Sequence, residues 1–152
     1  MAVGCFNGQL YIVNTDTQTV ETKFQSGGAR IISICWHPLF DNLIATGSFD
    51  HKIRVHDIKK NTVVELCEHK ERVRSILWNS ELPWMLISGA DDAQVIVWDL
   101  RTKRIVTTVN EPTLPMTSLI AHPTSPFTLI SCHFDSSILF WSLMSVPDVA
   151  LS

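Results

Sequence analysis

The chain has 152 residues, of which 45% are hydrophobic and 18% are charged, and its formal net charge at pH 7 is −3. A chain of this length can bury a hydrophobic core, and the negative net charge argues against a general nucleic-acid-binding protein, which would carry a basic domain. There is no apolar run of about 18 residues, no secretory leader and no arginine-rich presequence, so we expect an intracellular, cytoplasmic protein without a membrane span.

Short apolar runs rich in β-branched residues and Trp alternate with clusters of Pro, Asn, Asp and Gly along the chain. This pattern predicts strands, and the continuous character of the runs is typical of strands covered on both faces. In chain order, the predicted strands are residues 17–24, 30–36, 42–47, 52–57, 62–67, 73–78, 84–89, 94–99, 104–109, 115–121, 127–132 and 137–142.

One short sequence recurs around three aspartates, as Ile44-Ala-Thr-Gly-Ser-Phe-Asp50, Leu86-Ile-Ser-Gly-Ala-Asp-Asp92 and Leu129-Ile-Ser-Cys-His-Phe-Asp135. These aspartates lie 42 and 43 residues apart, and the same shifts place Trp78 on Trp36 and Trp141 on Trp98. Four short strands repeated at this period predict sheets packed around an axis, which is an all-β β-propeller of four-stranded antiparallel blades. The first strand of each unit would line the channel. A helix over residues 61–78 is the main rival, but the aligned segments carry prolines and no helical period.

The period divides the chain into a partial unit at 1–25, blades at 26–67, 68–110 and 111–144, and a tail or start of a further repeat at 145–152. Closed propellers have about four to eight blades. This chain has about three and a half units. We therefore expect a fragment of a longer propeller. The alternatives are a second chain that closes the ring and an open arc held by a partner.

One unit resembles the WD40 repeat. His69, Ser88-Gly89, Asp92 and Trp98-Asp99 are similar to the Gly-His to Trp-Asp pattern of that family, and the resemblance extends over almost the whole chain. It implies a structural hydrogen-bond chain from Asp92 to His69, then to Ser88 and to the Trp98 indole. The equivalent positions are Thr46 and Asp50 in the preceding unit, and Ser131, Asp135 and Trp141 in the following one.

The neighbouring units depart from this pattern. Gly27 stands where the His is expected and His56 where the Trp is expected. In the following unit, Pro112 takes the place of the His and Ser142 that of the closing Asp. We expect these two units to lack the full polar chain and to depend more on apolar packing, which would make the unit at 68–110 the most rigid.

Ser88, His69 and Asp92 are also the residue types of a hydrolase triad. A catalytic serine of that kind needs an exposed turn such as Gly-x-Ser-x-Gly, which the sequence lacks. The structural interpretation is therefore preferred, and we expect a protein that is not an enzyme.

The resemblance also implies a partner-binding face, made by the loops that enter the first strand and by the turns before the repeated Asp. The positions in register are Phe6, Arg30, Ile32, Phe49, Arg72, Arg74, Asp91, Pro115, Thr117 and Phe134. An exposed Phe beside an Arg is a typical interface anchor, although each Phe could instead cover the rim of the neighbouring blade. We expect a non-enzymatic scaffold that binds proteins or peptides within a multiprotein assembly, without a cofactor.

An alternative function uses a basic face at the bottom of the propeller. Its residues follow the third strands of two neighbouring blades, and they are Lys59, Lys60, Arg101, Lys103 and Arg104. These cations could meet an acidic peptide tail, a phosphoinositide or RNA. Nucleic acid is disfavoured by the negative net charge.

Metal sites and disulfides are not predicted. Cys5, Cys35, Cys67 and Cys132 lack Cys-x-x-Cys spacing, and we expect Cys35 and Cys67 to be buried thiols inside strands. The histidines, His37, His51, His56, His122 and His133 in addition to His69, lack the i, i+4 or His-x-His spacing of a paired metal site.

Overall fold

The structure is a computed structural model that describes residues 1–110 and 115–143, apart from the side chain of Pro126. The predictions for Pro112 and for the tail at 145–152 lie outside these residues. The described strands are β1 Ala2–Gly4, β2 Gln9–Asn14, β3 Thr19–Gln25, β4 Ile31–Trp36, β5 Leu43–Ser48, β6 Ile53–Asp57, β7 Thr62–Leu66, β8 Val73–Trp78, β9 Met85–Ala90, β10 Gln94–Asp99, β11 Arg104–Asn110, β12 Met116–His122, β13 Ser125–His133 and β14 Ile138–Ser142.

The strands form four antiparallel sheets that follow one another along the chain. Strands β1 to β3 form the first sheet, β4 to β7 the second, β8 to β11 the third and β12 to β14 the fourth. Each strand pairs with its neighbours in sequence, so every sheet is an up-and-down meander. The predicted all-β fold of antiparallel blades is confirmed, and so is the rejection of a helix over residues 61–78, because β7 and β8 occupy that segment.

The repeated aspartate forms a hairpin turn in the second, third and fourth sheets. One carboxylate oxygen accepts a hydrogen bond from the backbone N–H two residues later, and the residue between them has a positive φ. The pairs are Asp50 with Lys52 (3.3 Å), Asp92 with Gln94 (3.1 Å) and Asp135 with Ser137 (2.9 Å), and the intervening residues are His51, Ala93 and Ser136. This side-chain bond is an Asx turn, so the period of the sequence records the position of a turn.

Adjacent sheets pack face to face, with β4 beside β8 and β8 beside β12. Buried apolar side chains fill the space between the sheets. Leu10, Phe24 and Ile44 lie between the first and second sheets, Ile53, Val73 and Leu86 between the second and third, and Val97, Met116 and Leu129 between the third and fourth. Burial of this kind is the main term that stabilises stacked sheets.

Glycines at one register position allow the sheets to approach closely. A Cβ atom on Gly47 would lie 2.8 Å from Val73 Cγ1 and 2.9 Å from Ile76 Cδ1 of the next sheet. Replacing Gly47 by Ala is expected to lower the free energy of unfolding by about 1–3 kcal/mol, because the neighbouring side chains are branched and packed. Urea denaturation would measure this change.

The matched comparison for Gly47→Ala is Gly89→Ala. A Cβ atom on Gly89 would meet the thioether of Met116, whose unbranched side chain adapts more readily than Val73. We expect a smaller loss of stability for Gly89→Ala. Equal losses would show that the shape of the facing side chain does not control the approach of the sheets.

Candidate interaction face

In the third sheet, four polar side chains form a continuous hydrogen-bond chain. His69 Nδ1 lies 3.0 Å from Asp92 Oδ2, and His69 Nε2 lies 2.8 Å from Ser88 Oγ. The Trp98 Nε1–H donates to the same Ser88 oxygen at 2.8 Å. Because His69 Nδ1–H donates to the carboxylate, the Ser88 hydroxyl donates to His69 Nε2. The chain thus satisfies the polar groups of all four side chains.

The pKa of the Asp92 carboxyl lies below its usual value. Burial raises this pKa, but the hydrogen bonds from His69 and from the Lys70 backbone N–H lower it by more. Asp92 is therefore a carboxylate held by its donors, as expected of a group that anchors neighbouring loops.

The order of bonds in this chain is also that of the Ser-His-Asp triad of hydrolases. However, Ser88 is 0% exposed and His69 is 6% exposed, and the Trp98 indole occupies the second side of the Ser88 oxygen. A nucleophile must contact the substrate carbon, which a hydroxyl without exposed surface cannot do. The geometry favours a structural role for Ser88 over the hydrolase alternative.

The fourth sheet forms a similar chain with a different histidine. Trp141 Nε1 donates to Ser131 Oγ at 2.7 Å, and Ser131 Oγ lies 2.9 Å from His133 Nε2. His133 is 4% exposed and stands two residues after Ser131 on β13, so both side chains lie on the same face of the strand. Asp135, by contrast, is exposed and serves the hairpin turn.

The second sheet uses His56 in place of the indole. His56 Nε2 lies 3.1 Å from Thr46 Oγ1 and 3.4 Å from Ser26 Oγ, and all three residues are 0% exposed. The pKa of His56 is lowered to about 4, because burial disfavours the charged imidazole and the nearby Arg54 guanidinium repels it. His56 is therefore a neutral member of this chain at pH 7.

Arg54 fills the space next to Gly27, where the pattern has a histidine. Its guanidinium donates to Asp50 Oδ2 at 2.7 Å and to Glu65 Oε1 at 2.7 Å, and its side chain is 4% exposed. A Cβ atom on Gly27 would clash with this guanidinium, and the φ of Gly27 is +82°. Burial raises the pKa of Asp50, but the hydrogen bond and charge of Arg54 lower it below its usual value.

These two sheets lack the full chain of Asp, His, Ser or Thr, and Trp among the described residues, as expected. Each has a substitute chain, centred on Thr46 in the second sheet and on Ser131 in the fourth. The substitutes, Arg54 and His133, come from other positions of the repeat, so an alignment in register missed them. The third sheet alone has the full chain among the described residues, and its greater rigidity stays a prediction.

Three arginines stack on phenylalanine rings at one end of the strands. The guanidinium carbon of Arg30 lies 4.7 Å from the Phe6 ring centroid, that of Arg72 3.9 Å from Phe49, and that of Arg74 5.5 Å from Phe134. Each pair joins two adjacent sheets. We call Phe6, Arg30, Phe49, Arg72, Arg74 and Phe134 the Phe–Arg face.

The rings of the Phe–Arg face stay accessible despite this stacking. Phe6 is 77% exposed, Phe49 40% and Phe134 60%. Phe6 and Phe49, with Ala29 and Arg30, line a pocket of about 220 Å³. The sequence left two roles open for each Phe, an exposed interface anchor or a cover over the neighbouring blade. Each Phe meets both descriptions, because it contacts the neighbouring sheet and still exposes aromatic surface.

The other positions assigned to this face differ in accessibility. The Asp91 carboxylate accepts hydrogen bonds from Arg74 Nε at 2.7 Å and Nη2 at 2.9 Å, and its side chain is 15% exposed. Asp91 is therefore held by Arg74 and is only partly exposed on this face. Pro115 and Thr117 are exposed, and Ile32 is half-buried. Within the described part of the chain, no carboxylate pairs with Arg30 or Arg72.

The predicted basic residues lie at the opposite end of the strands, because successive connections of a meander alternate between its ends. Lys59 pairs with Asp41 at 2.8 Å, Lys60 with Asp57 at 3.8 Å and Arg101 with Asp99 at 2.8 Å, whereas Lys103 and Arg104 are exposed. Asp16 and Glu81 also lie in loops at this end, so the pairing and these carboxylates weaken the field expected of five free cations.

The cysteines are free thiols, and the predicted location of one of them was wrong. β7 ends at Leu66, so Cys67 lies beyond the strand and is exposed, contrary to expectation. Cys35 lies in β4, half-buried, and burial raises the pKa of its thiol.

Among the residues that the structure describes, no group of three or more His, Cys, Asp or Glu could hold a metal ion. The described ranges also contain no helix with the length and apolarity needed to cross a membrane.

Comparison with known proteins agrees with the geometry of the sheets and their polar chains. The family described as "Anaphase-promoting complex subunit 4 WD40 domain" matches residues 34–122, which is more than half of the chain. The chain belongs to the WD40-repeat family.

Similar WD40 proteins are much longer than this chain. APC/C activator protein CDC20 of Saccharomyces cerevisiae is 32% identical over 147 residues, which cover 93% of this chain and 23% of the relative. GATOR2 complex protein WDR24 of Dictyostelium discoideum is 32% identical over 127 residues, 77% of this chain and 12% of the relative. Protein SPA1-RELATED 3 of Arabidopsis thaliana is 36% identical over 76 residues, 49% of this chain and 9% of the relative. The chain thus spans less than a quarter of the length of these relatives.

Proposed function

We propose that this WD40 chain is a non-enzymatic interaction scaffold that binds protein or peptide partners through the Phe–Arg face. The observation that carries the proposal is the stack of Arg72 on Phe49, which fixes both side chains at the junction of two sheets and leaves the ring 40% exposed. Aromatic and arginine side chains supply most of the binding energy in protein interfaces.

Stacking also prepares these side chains for binding. An arginine held against a ring has lost much of its rotational freedom before the partner arrives, so less conformational entropy is lost on association. A stacked guanidinium still directs its N–H groups sideways, where a carboxylate or a backbone carbonyl can accept them. Arg30 and Arg72 are the members of the face best suited to this role, because the Arg74 guanidinium already pairs with the Asp91 carboxylate.

Replacing Phe49 by Ala is expected to weaken partner binding by about tenfold or more, as for an interface residue contributing about 2 kcal/mol. Proteins retained by the wild-type chain would be identified, and the affinity of a purified partner measured by calorimetry. Arg72→Gln should weaken binding in the same direction, because it removes the cation and its stack on the ring.

The control for this experiment is Leu39→Ala, since Leu39 is 63% exposed but lies in a loop at the opposite end of the strands. This variant should bind partners as the wild type does. A partner whose affinity falls less than about twofold in both Phe49→Ala and Arg72→Gln would show that the Phe–Arg face is not its binding site.

We also propose that the chain acts inside a multiprotein assembly. Two similar proteins, an APC/C activator and a GATOR2 complex protein, are named for such complexes. The fourth sheet in addition exposes apolar side chains on its outer strands, with Ile138 58% exposed and Phe140 72% exposed. These side chains suit contact with further blades, either from the rest of a longer propeller or from a second chain.

Within the WD40 family, the stretch from Arg72 to Gly89 and the Ser-Pro-Phe at 125–127 resemble WD repeat-containing protein 17. We propose that the chain belongs to this sub-family. Reading the coding sequence on both sides of residues 1–152 tests how the propeller is completed, and a full-length match to WD repeat-containing protein 17 would support the sub-family. Additional repeats of about 42 residues would supply the missing blades, whereas stop signals on both sides would require several chains to close a ring.

A further inference from the structure

A second candidate site lies at the end of the strands opposite the Phe–Arg face. Loop 37–42 of the second sheet, loop 79–84 of the third and the start of the turn after β10 enclose a pocket of about 420 Å³. His37, Phe40, Trp78, Trp84 and Arg101 form most of its wall. Pockets of about 300–1,000 Å³ with aromatic walls and few polar groups are typical ligand sites.

Hydrogen bonds hold the wall of this pocket in place. The backbone N–H groups of Leu39 and Phe40 each donate to His37 Nδ1 at 3.0 Å, so the proton of the neutral ring is on Nε2. His37 Nε2 then donates to the Pro83 carbonyl of the next sheet at 2.8 Å. Trp78 Nε1 donates to the Cys35 carbonyl at 3.1 Å, which fixes a second aromatic wall. The pocket is therefore formed before any ligand arrives.

The aromatic rings of this wall pack against one another. The His37 ring centroid lies 4.5 Å from that of Trp78 and 4.7 Å from that of Phe40. On the outer side, the Arg101 guanidinium lies 4.2 Å from the Trp84 ring centroid. A flat aromatic side chain could make the offset and edge contacts that such rings prefer.

The rim of the pocket carries cations after β10 and the exposed carboxylates of Asp41 and Glu81 on the two loops. Arg101 is 57% exposed at its side chain and pairs with Asp99, and the same turn carries Lys103 and Arg104 without a carboxylate partner within the described residues. In the neighbouring sheet, the pair of Lys59 with Asp41 is open to solvent, with side chains 68% and 84% exposed. Exposed pairs of this kind exchange readily, so an incoming carboxylate can compete for these cations.

We propose that this pocket binds the aromatic side chain of a peptide segment whose flanking residues are acidic. The aromatic wall selects the side chain, and the cations on the two adjacent turns select the flanking charge. This site is separate from the Phe–Arg face, and the proposal does not depend on the function proposed for that face.

The binding of three labelled peptides to the full chain, measured by fluorescence anisotropy, tests the proposal. The peptides have the same length and are Glu-Glu-Trp-Asp-Glu, Glu-Glu-Ala-Asp-Glu and Lys-Lys-Trp-Lys-Lys. The acidic Trp peptide should bind more tightly than the other two, by roughly fivefold or more if one exposed ion pair of about 1 kcal/mol is gained. Equal binding of the Ala peptide would overturn the aromatic pocket, and equal binding of the basic Trp peptide would overturn the role of the rim.

The place of binding can be mapped on the tryptophan side chains, since two of the five, Trp78 and Trp84, line the pocket. In ¹⁵N-labelled protein, the acidic Trp peptide should shift the indole resonances of these two and leave those of Trp98 and Trp141 unchanged. Shifts confined to Trp98 and Trp141, or no shifts at all, would contradict the proposed site.

Two variants separate the contributions of ring and charge. Trp84→Ala should lower the affinity for the acidic Trp peptide. Arg101→Met should reduce the difference in affinity between the acidic and the basic Trp peptides. Phe49→Ala, on the opposite end, should leave both unchanged, so that a failure here is distinct from a failure of the Phe–Arg face. Binding of phosphoinositide vesicles that persists in Trp84→Ala, with no peptide binding, would overturn the proposal in favour of a lipid.

Discussion

Replacing Ser88 by Ala is expected to lower the free energy of unfolding by about 2–4 kcal/mol. The Ser88 oxygen is the shared partner of His69 Nε2 and Trp98 Nε1, both at 2.8 Å. Without the hydroxyl, both nitrogens are left buried with no replacement, at a cost of about 1–3 kcal/mol each. Urea denaturation followed by tryptophan fluorescence would measure the loss.

Ser33→Ala is the matched control for this prediction. The Ser33 hydroxyl is also buried, but it has no hydrogen-bond partner within the described residues. Its removal strands no other group, so the free energy of unfolding should stay within about 0.5 kcal/mol of the wild-type value. If the two variants lose the same stability, the polar chain of the third sheet contributes nothing beyond the volume of a hydroxyl.

Acidification from pH 7 to pH 4 is expected to destabilise the wild-type chain by about 3 kcal/mol more than the variant His56→Phe. The folded protein holds the pKa of His56 at about 4, below the value of 6.5 for a free histidine. Between these two values the unfolded chain binds a proton that the folded chain does not, so stability falls as the pH falls. Above about pH 7.5 the ring is neutral in both states and contributes no pH dependence.

The comparison between the two proteins isolates His56. Asp50 and Asp92 have lowered pKa values, so the stability that they contribute is lost only as the pH falls below the ordinary carboxyl range, about pH 4, and the loss is common to both proteins. At pH 7 the variant should be less stable, because Thr46 loses its contact with the imidazole. If the stability curves of the two proteins stay parallel from pH 7 to pH 4, His56 takes up its proton equally in the folded and the unfolded chain, and the prediction is wrong.

The strands were predictable from local sequence to within a few residues. The predicted strand at 73–78 is β8, Val73–Trp78, and the one at 94–99 is β10, Gln94–Asp99. Prediction succeeded because β-branched runs and turn residues act over short distances, and because Asp50 and its equivalents bond a backbone N–H only two residues away.

The polar chains behind the turns were less predictable, since their members meet only after the strands pair. Arg54 reaches the vacant place beside Gly27 from a different strand, and it does so because Asp50 and Glu65 fix its guanidinium. His133 reaches Ser131 from within the same strand. Neither residue occupies the register of the histidine that it replaces.

The sequence by itself determined that the chain is built of β-propeller blades, because a repeated unit with a repeated turn can bury its strands only by stacking on copies of itself. Only the tertiary structure decided which side chains form the Phe–Arg face. Arg72 and Phe49 are 23 residues apart in sequence and meet because adjacent sheets pack side by side. The same packing withdrew Asp91 toward Arg74 and formed the pocket between His37 and Trp84, since both depend on the distance between sheets and not on the order of residues within one.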